Sequence, residues 1–288
     1  MIYKRLAVSP VSGAMGAEIG GVDLANLDDE SFAEVKQAFR DHLVIMFRDQ
    51  NMTPEQLLAF GRRFGDLDIA PFVKGMDDYP AIIEVVKTAR DEVNFGGAWH
   101  SDFSFKREPP LGSILYAREV PAVGGDTMFS NLHLAYETLS SGMKDMLDGL
   151  TAIHSPRRSY SAKAIASRRR AAMTIEADET SESTWEHPFI RVHADTGRRC
   201  LFINDIYTIG VKGWSEAESR PLLKFLGAHA VKPEFTCRLR WQKDSVAFWD
   251  NRCVLHNALN DYSGHRRHMQ RVTVVGEVPL GVSDMAVA

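Results

Sequence analysis

The chain is poor in cysteine: Cys200, Cys237 and Cys253 are the only three in 288 residues, an odd number with no C-x-x-C pair. A reduced, cytoplasmic protein is the simplest reading. No apolar run approaches the ~18–20 residues of a membrane span. After Lys4-Arg5 the N-terminus turns to Pro10, Ser12 and Gly13, without the apolar stretch of a signal peptide. A large excess of one charge is also missing, since 34 Lys and Arg face 38 Asp and Glu for a net −4. Nothing therefore draws the chain to nucleic acid or to an anionic membrane. It has no internal repeat, no low-complexity segment, no linker and no Gly-rich phosphate loop.

What is present suits one folded domain over residues 1–288, because 44% hydrophobic content is enough to bury a full core. Phe32, Val35 and Phe39 recur at helical spacing between Asp28 and Asp41, and His42–Phe47 is β-rich. Thr53-Pro54-Glu55-Gln56 predicts a capped helix start, with Gly65 as the stop after Phe64. A second Ser-x-x-Glu signal opens a helix over Ser215–His229 that should bury Leu222, Leu223, Phe225 and Leu226. Short β-type runs cover Ala81–Val86, Gly112–Ala117, Cys200–Ile203, Phe235–Trp241, Val246–Trp249 and Met269–Glu277. In Phe235–Trp241 every second residue is apolar, the period of a half-buried strand. Many short strands with helices mainly near the ends predict a mainly β, jelly-roll type core with flanking helices.

One stretch departs from this composition. Arg157, Arg158, Lys163, Arg168, Arg169 and Arg170 occur together without an acid, and Glu176, Asp178, Glu179, Glu182 and Glu186 follow. A polar insertion at about 157–186 reads either as a solvated surface segment or as a lid over bound substrate.

The chemistry lies in two separated motifs. Trp99-His100-Ser101-Asp102 gives His-x-Asp, and His256 follows about 150 residues later, with ten residues between it and Arg267. His100 and Asp102 are two apart, so on an extended segment both side chains leave one face. With His256 they make a two-histidine, one-carboxylate set, the donor type of non-haem Fe(II) oxygenases that keep coordination positions open. An isolated His-x-Asp is usually a surface pair; its combination with His256 and an arginine is not. On a strand starting at Arg267, positions 267, 269, 271 and 273 share a face. Burying Arg267 and Arg271 there is costly unless each meets an anion. Four residues at ~3.3 Å each place them ~13 Å apart, so they could serve two different carboxylates.

These residues and their surroundings resemble the Fe(II)- and 2-oxoglutarate-dependent dioxygenases of the taurine dioxygenase group, including the aryloxyalkanoate dioxygenases. The resemblance runs from about Val8 to Pro279. It is carried by Gly16-Ala17-Glu18-Ile19 with Gly21-Val22-Asp23-Leu24, by Phe47-Arg48-Asp49-Gln50, Phe64-Gly65, Trp99–Asp102, Gly124-Gly125-Asp126-Thr127, Lys232-Pro233-Glu234-Phe235, Trp249-Asp250-Asn251-Arg252, and His256 through Arg271. It implies a double-stranded β-helix, a cupin-like jelly roll. It further implies that His100, Asp102 and His256 bind Fe(II), that Thr127 and Arg267 bind the distal carboxylate of 2-oxoglutarate, and that Arg271 grips the acidic end of the substrate. Trp249 would pack beside the metal. The implied reaction consumes O2 and 2-oxoglutarate, releases succinate and CO2, and hydroxylates a small organic acid. A homo-oligomer, dimer or tetramer, is also implied.

The taurine enzymes carry His-Ile-His-Pro where this chain has Asp68-Ile69-Ala70-Pro71, and Ala70 cannot donate a hydrogen bond to a sulfonate. Phe235–Trp241 and His154-Ser155 look more like their counterparts in the aryloxyalkanoate enzymes. The expected substrate therefore has an anionic head and an apolar body, with Ile69, Ala70, Phe103, Tyr160 and Tyr207 as candidate walls. An alkylsulfonate or alkyl-sulfate dioxygenase is the runner-up, followed by a hydroxylase or desaturase of an amino-acid derivative. A non-catalytic metal-binding sensor or assembly protein, or a zinc hydrolase, would leave Arg267 without a purpose.

Overall fold

The computed structural model describes residues 3–167, 172–282 and 284; Arg168, Arg169 and Arg170 of the basic stretch lie outside them. An antiparallel sheet dominates. Its strands run in the order Ala7–Pro10, Ala17–Gly20, Val44–Phe47, Val246–Asp250, Gly112–Glu119 and Arg267–Val274. Ile82–Lys87 and Leu67–Asp68 both pair with the free side of Arg267–Val274, and only the Ala17–Gly20 and Val44–Phe47 pairing is parallel. A smaller sheet has Thr127–Asn131 at its centre, with Thr236–Leu239 on one side and Val254–Ala258 on the other.

Alternation along the strands explains how the layers stack. Val44, Met46, Leu115, Ala117, Ala247, Trp249 and Met269 join one apolar cluster with Phe129, Cys237, Leu239 and Leu255 of the smaller sheet. Their neighbours Ile45, Phe47, Ile114, Tyr116, Val246, Phe248, Val272 and Val274 join a second cluster with Val35, Phe39, Leu57 and Phe60. Those last four residues come from two helices, Asp29–His42 and Pro54–Arg62. The large sheet is thus covered by the small sheet on one face and by helices on the other, as period-2 side chains require when both faces are dry. This is the expected mainly β jelly roll with flanking helices.

Both helices start where their caps sit. Asp28 accepts from the Ser31 N–H, and Thr53 with Gln56 forms the capping box read from the sequence. Glu216–Ala230 begins with a matching box from Ser215 and Glu218, but it buries Leu226 and leaves Phe225 51% exposed, stacked on His229. Phe225 is therefore not a core residue. The expected Phe235–Trp241 strand is shorter: Pro233–Phe235 is a 3-10 turn and Thr236–Leu239 the strand, because Pro233 fixes a helical φ. Among the described residues no helix is long and apolar enough to cross a membrane.

Candidate active site

The tight turn at Asp250-Asn251-Arg252 carries the chain from the large sheet to the small one, bringing the Trp249 and His256 rings together at a tilt of 49°. Their rings lie 4.7 Å apart. The turn is pinned by Asp250, whose Oδ1 accepts from the backbone N–H and Nε of Arg252, and whose Oδ2 accepts from Arg252 Nη2 and faces His193. His193, Asp250 and Cys253 are close enough to hold an ion, yet the Asp250 carboxylate is already taken up by these partners.

Opposite His256, residue His100 forms an isolated antiparallel bridge, with N–H to C=O bonds of 3.0 and 2.8 Å in the two directions. The chain then turns rather than continuing as a strand, with Phe103 at φ 44°. Asp102 is nevertheless brought beside the two rings. Its Oδ1 lies 3.6 Å from His100 Nε2 and 3.9 Å from His256 Nε2. Gly96 makes this approach possible: at φ 77°, its Cα faces the His100 ring so closely that a Cβ would come 3.3 Å from Cε1.

The donor set suits a divalent ion. His100 Nδ1 lies 2.7 Å from the Ala98 carbonyl, which can only accept, so the proton sits on Nδ1 and the Nε2 lone pair points into the site. Burial, then the proximity of His100, lowers His256 to a pKa of about 3, so its imidazole is neutral at physiological pH. Burial opposes ionisation of Asp102, but the Arg271 guanidinium beside it outweighs burial and holds the carboxyl well below its usual range. Donors ~2.0–2.2 Å from a common ion would stand ~3–4 Å apart, as Asp102 Oδ1 does from each histidine. All three side chains are buried.

Two spaces open on His100. The inner one is lined by Thr127, Trp249, His256, Arg267 and Arg271 together with Val85 and Leu115. Thr127 Oγ1 accepts from Trp241 Nε1 at 2.9 Å, which leaves the hydroxyl proton free to donate elsewhere. Arg267 and Arg271 each expose buried, unpartnered Nε and Nη2 atoms. These two nitrogens form one edge of a guanidinium, the edge that takes a carboxylate in bidentate fashion. Arg271 also donates from Nη1 to Asp102 Oδ1 at 2.9 Å, a contact between residues 169 apart in the chain that no motif announces.

The outer space is lined by His100, Asp102, Asn94, Phe95, Tyr160, Ile175, Ile206 and Tyr207. Tyr160 and Tyr207 are both part of its wall. Phe103 is buried below, with the Arg271 guanidinium 5.0 Å from its ring centre, and supports the arginine rather than lining this space. Ile69 is 66% exposed, and with Ala70 it borders a separate surface groove. Neither reaches the His100 cavity; Phe72, stacked on Tyr160 at 4.9 Å, is the contact this segment makes with the wall. The sequence reading missed Asn94, Phe95, Ile175 and Ile206, and only Gly96-Gly97 signalled a close backbone approach there.

Similarity to known proteins agrees with this arrangement. Residues 7–273 match the family described as "Taurine catabolism dioxygenase TauD, TfdA family". The chain belongs to that family. It is 35% identical, over 96% of its length and 92% of the relative's, to an alpha-ketoglutarate-dependent sulfate ester dioxygenase of Pseudomonas putida. It is 31% identical to the alpha-ketoglutarate-dependent 2,4-dichlorophenoxyacetate dioxygenase of Cupriavidus pinatubonensis, covering 94% of this chain and 98% of the other. A crystal structure of a taurine dioxygenase from Burkholderia xenovorans superposes with a TM-score of 0.82 at 34% identity, covering 98% of this chain and 94% of that one. The protein is a 2-oxoglutarate (alpha-ketoglutarate)-dependent dioxygenase with a jelly-roll core.

Proposed function

We propose that this dioxygenase hydroxylates a small organic anion with an apolar body, using His100, Asp102 and His256 to hold Fe(II). The observation that carries the reading is the pair of buried guanidinium edges, on Arg267 and Arg271, that open without a partner beside the three metal donors. One edge suits the distal carboxylate of 2-oxoglutarate, with the free Thr127 hydroxyl as an added donor. The other suits the anionic head of the substrate. Fe(II), when bound, supplies the oxygen activation that couples decarboxylation of 2-oxoglutarate to hydroxylation, with succinate and CO2 as co-products.

The residues of the chain do the rest by binding and exclusion. Arg271 fixes one end of the substrate, and Tyr160, Tyr207, Phe95 and Ile206 enclose its body near His100. Fixing both ends holds one C–H bond toward the metal and supplies part of the barrier reduction as orientation. Ile175 reaches this space from the polar insertion. The insertion pairs with residues 72–74 through the Val73 and Ile175 bridge and two backbone bonds, Lys74 N–H to Thr174 C=O and Glu176 N–H to Phe72 C=O. We infer that the described part of 157–186 acts as a lid that excludes water during turnover. The three unpaired, buried thiols fit a reducing cytoplasm. We further propose a single dioxygenase domain that assembles as a dimer or tetramer, which rests on the family resemblance.

The preferred substrate is an aryloxyalkanoate. Hydroxylation beside the ether oxygen gives an unstable hemiketal or hemiacetal that collapses to a phenol and an oxo acid. The sulfate ester relative favours a second reading, an alkyl sulfate, whose hydroxylation next to oxygen would release sulfate and an aldehyde. Both need an anion grip and an apolar wall. A panel of aryloxyalkanoates, alkyl sulfates and alkylsulfonates, assayed for succinate and for the released phenol or sulfate, separates them. Succinate that rises with none of the three classes would reject the substrate reading.

A further inference from the structure

Asp102 has two carboxylate oxygens, and they have different surroundings. Oδ1 faces His100, His256 and Arg271, whereas Oδ2 lies 2.7 Å from Ser113 Oγ. Ser113 is wholly buried on the Gly112–Glu119 strand and receives Asn251 Nδ2 at 2.9 Å. Asn251 Oδ1 in turn lies 3.0 Å from Trp249 Nε1 and 3.2 Å from the Asp102 main-chain nitrogen. Its own backbone is anchored by the Ser101 hydroxyl on its carbonyl, and by its N–H on the Leu111 carbonyl.

Donor and acceptor roles in this chain are forced from both ends. An indole N–H and a main-chain N–H can only donate, so the Asn251 oxygen must face them and its NH2 must face Ser113. Ser113 then accepts from Asn251, and its single proton has one remaining acceptor, Asp102 Oδ2. An ionised carboxylate can only accept, which closes the sequence without a free alternative. A buried network with every member satisfied is rigid, because rotating any one group leaves others unpaired.

We propose that Ser113 and Asn251 are positioning residues that make Asp102 a one-oxygen metal ligand. With Oδ2 held by the Ser113 hydroxyl, the carboxylate presents Oδ1 toward the two histidines. It therefore takes one coordination position rather than two. The position it leaves is one that the cosubstrate and oxygen need in a three-ligand site. Removing the Ser113 hydroxyl strips Oδ2 of its donor in a dry environment, and Oδ2 then turns toward the metal or drags Oδ1 out of line. The inference rests on the reading of His100, Asp102 and His256 as metal ligands.

Co(II) titration of the metal-free protein tests it without reference to turnover, because the visible absorption of Co(II) reports coordination number. Wild type, His100→Ala, Ser113→Ala and Ser113→Cys would be compared, each checked for folding by circular dichroism. Cysteine keeps the volume with a weaker donor, and provides the reading if alanine leaves too little folded protein. The expected result is an affinity loss of about 10-fold or more in the Ser113 variants, with a changed Co(II) absorption pattern. Folded Ser113 variants that bind Co(II) within about twofold of wild type, with the same absorption, would overturn the positioning role while His100→Ala still loses binding. If His100→Ala binds as well as wild type, the ligand assignment itself fails and the positioning role falls with it.

Discussion

Arg267 and Arg271 stand on one face of one strand, four residues apart; both line the space beside His256, and the Nε and Nη2 of each are buried without a hydrogen-bond partner. Burial lowers the pKa of Arg267, and no carboxylate is within salt-bridge distance of it among the described residues. A dry, unpaired guanidinium is costly to maintain, so its presence points to a ligand that brings the charge.

The two arginines should separate in kinetics. Arg267→Ala is expected to raise the KM for 2-oxoglutarate by about 30-fold or more, as loss of about 2 kcal/mol of buried charge pairing implies. The substrate KM should change far less. Arg271→Ala should do the reverse. Equal effects of both variants on both KM values would refute the division of roles.

Gly96 sets the distance between its own loop and His100. Gly96→Ala should cost about 1–2 kcal/mol from the positive φ alone and displace the His100 ring. Metal affinity is then expected to fall together with stability, which a thermal melt with and without Mn(II) would read. An alanine variant showing the same metal-induced rise in Tm as wild type would contradict the contact described at 3.3 Å.

How far the site could be read in advance follows from how local each signal is. His100, Asp102, His256, Thr127 and Arg267 were legible because they sit in short motifs of distinctive residue types. The large-sheet strands were legible as short continuous apolar runs, because one face meets the helices and the other the small sheet. Val254–Ala258, which carries His256, offered only five residues with polar atoms at His256 and Asn257, and its period is ambiguous. Ile69 and Ala70 were misplaced because sequence proximity to a family motif does not say which way a loop faces. Here Phe72, at φ 65°, is the residue turned onto Tyr160. Ser113 is an unremarkable serine in sequence. Its bond to Asp102 is made only once the Gly112–Glu119 strand, where Ser113 pairs with Trp249, and the loop carrying Asp102 pack together.

The turn that links the sheets should govern acid stability. Asp250 is wholly buried; burial opposes its ionisation, but Arg252 and His193 hold its carboxyl far below the ordinary value of 3.8. A depressed folded-state pKa contributes stability that is present above the unfolded value and lost as pH falls beneath it. Asp250→Asn should therefore destabilise the protein by about 3–5 kcal/mol near neutrality and flatten the acid limb of the stability profile. Urea unfolding at several pH values would show this, and a variant with the wild-type acid slope would exclude Asp250 as its source.

Tyr160 and Tyr207 lie nearly parallel, with ring centres 6.5 Å apart, and both line the outer space. Tyr160→Ala should widen that space and raise the substrate KM by about 10-fold, on the order of the 1–3 kcal/mol that a hydrophobic pocket contact contributes. The KM for 2-oxoglutarate should stay close to wild type. A variant affecting only the cosubstrate would remove Tyr160 from the substrate wall.

In the proposed function, His100, Asp102 and His256 hold Fe(II) and the neighbouring Arg267 holds 2-oxoglutarate. Anaerobic titration of the metal-free protein with both, followed in the visible range, reads it directly. Chelation of the metal by 2-oxoglutarate gives a weak charge-transfer band. The account predicts that band in wild type, its loss in His100→Ala, and its appearance in Arg267→Ala only at much higher 2-oxoglutarate. No band in wild type with iron available, or an unchanged band in His100→Ala, would contradict it.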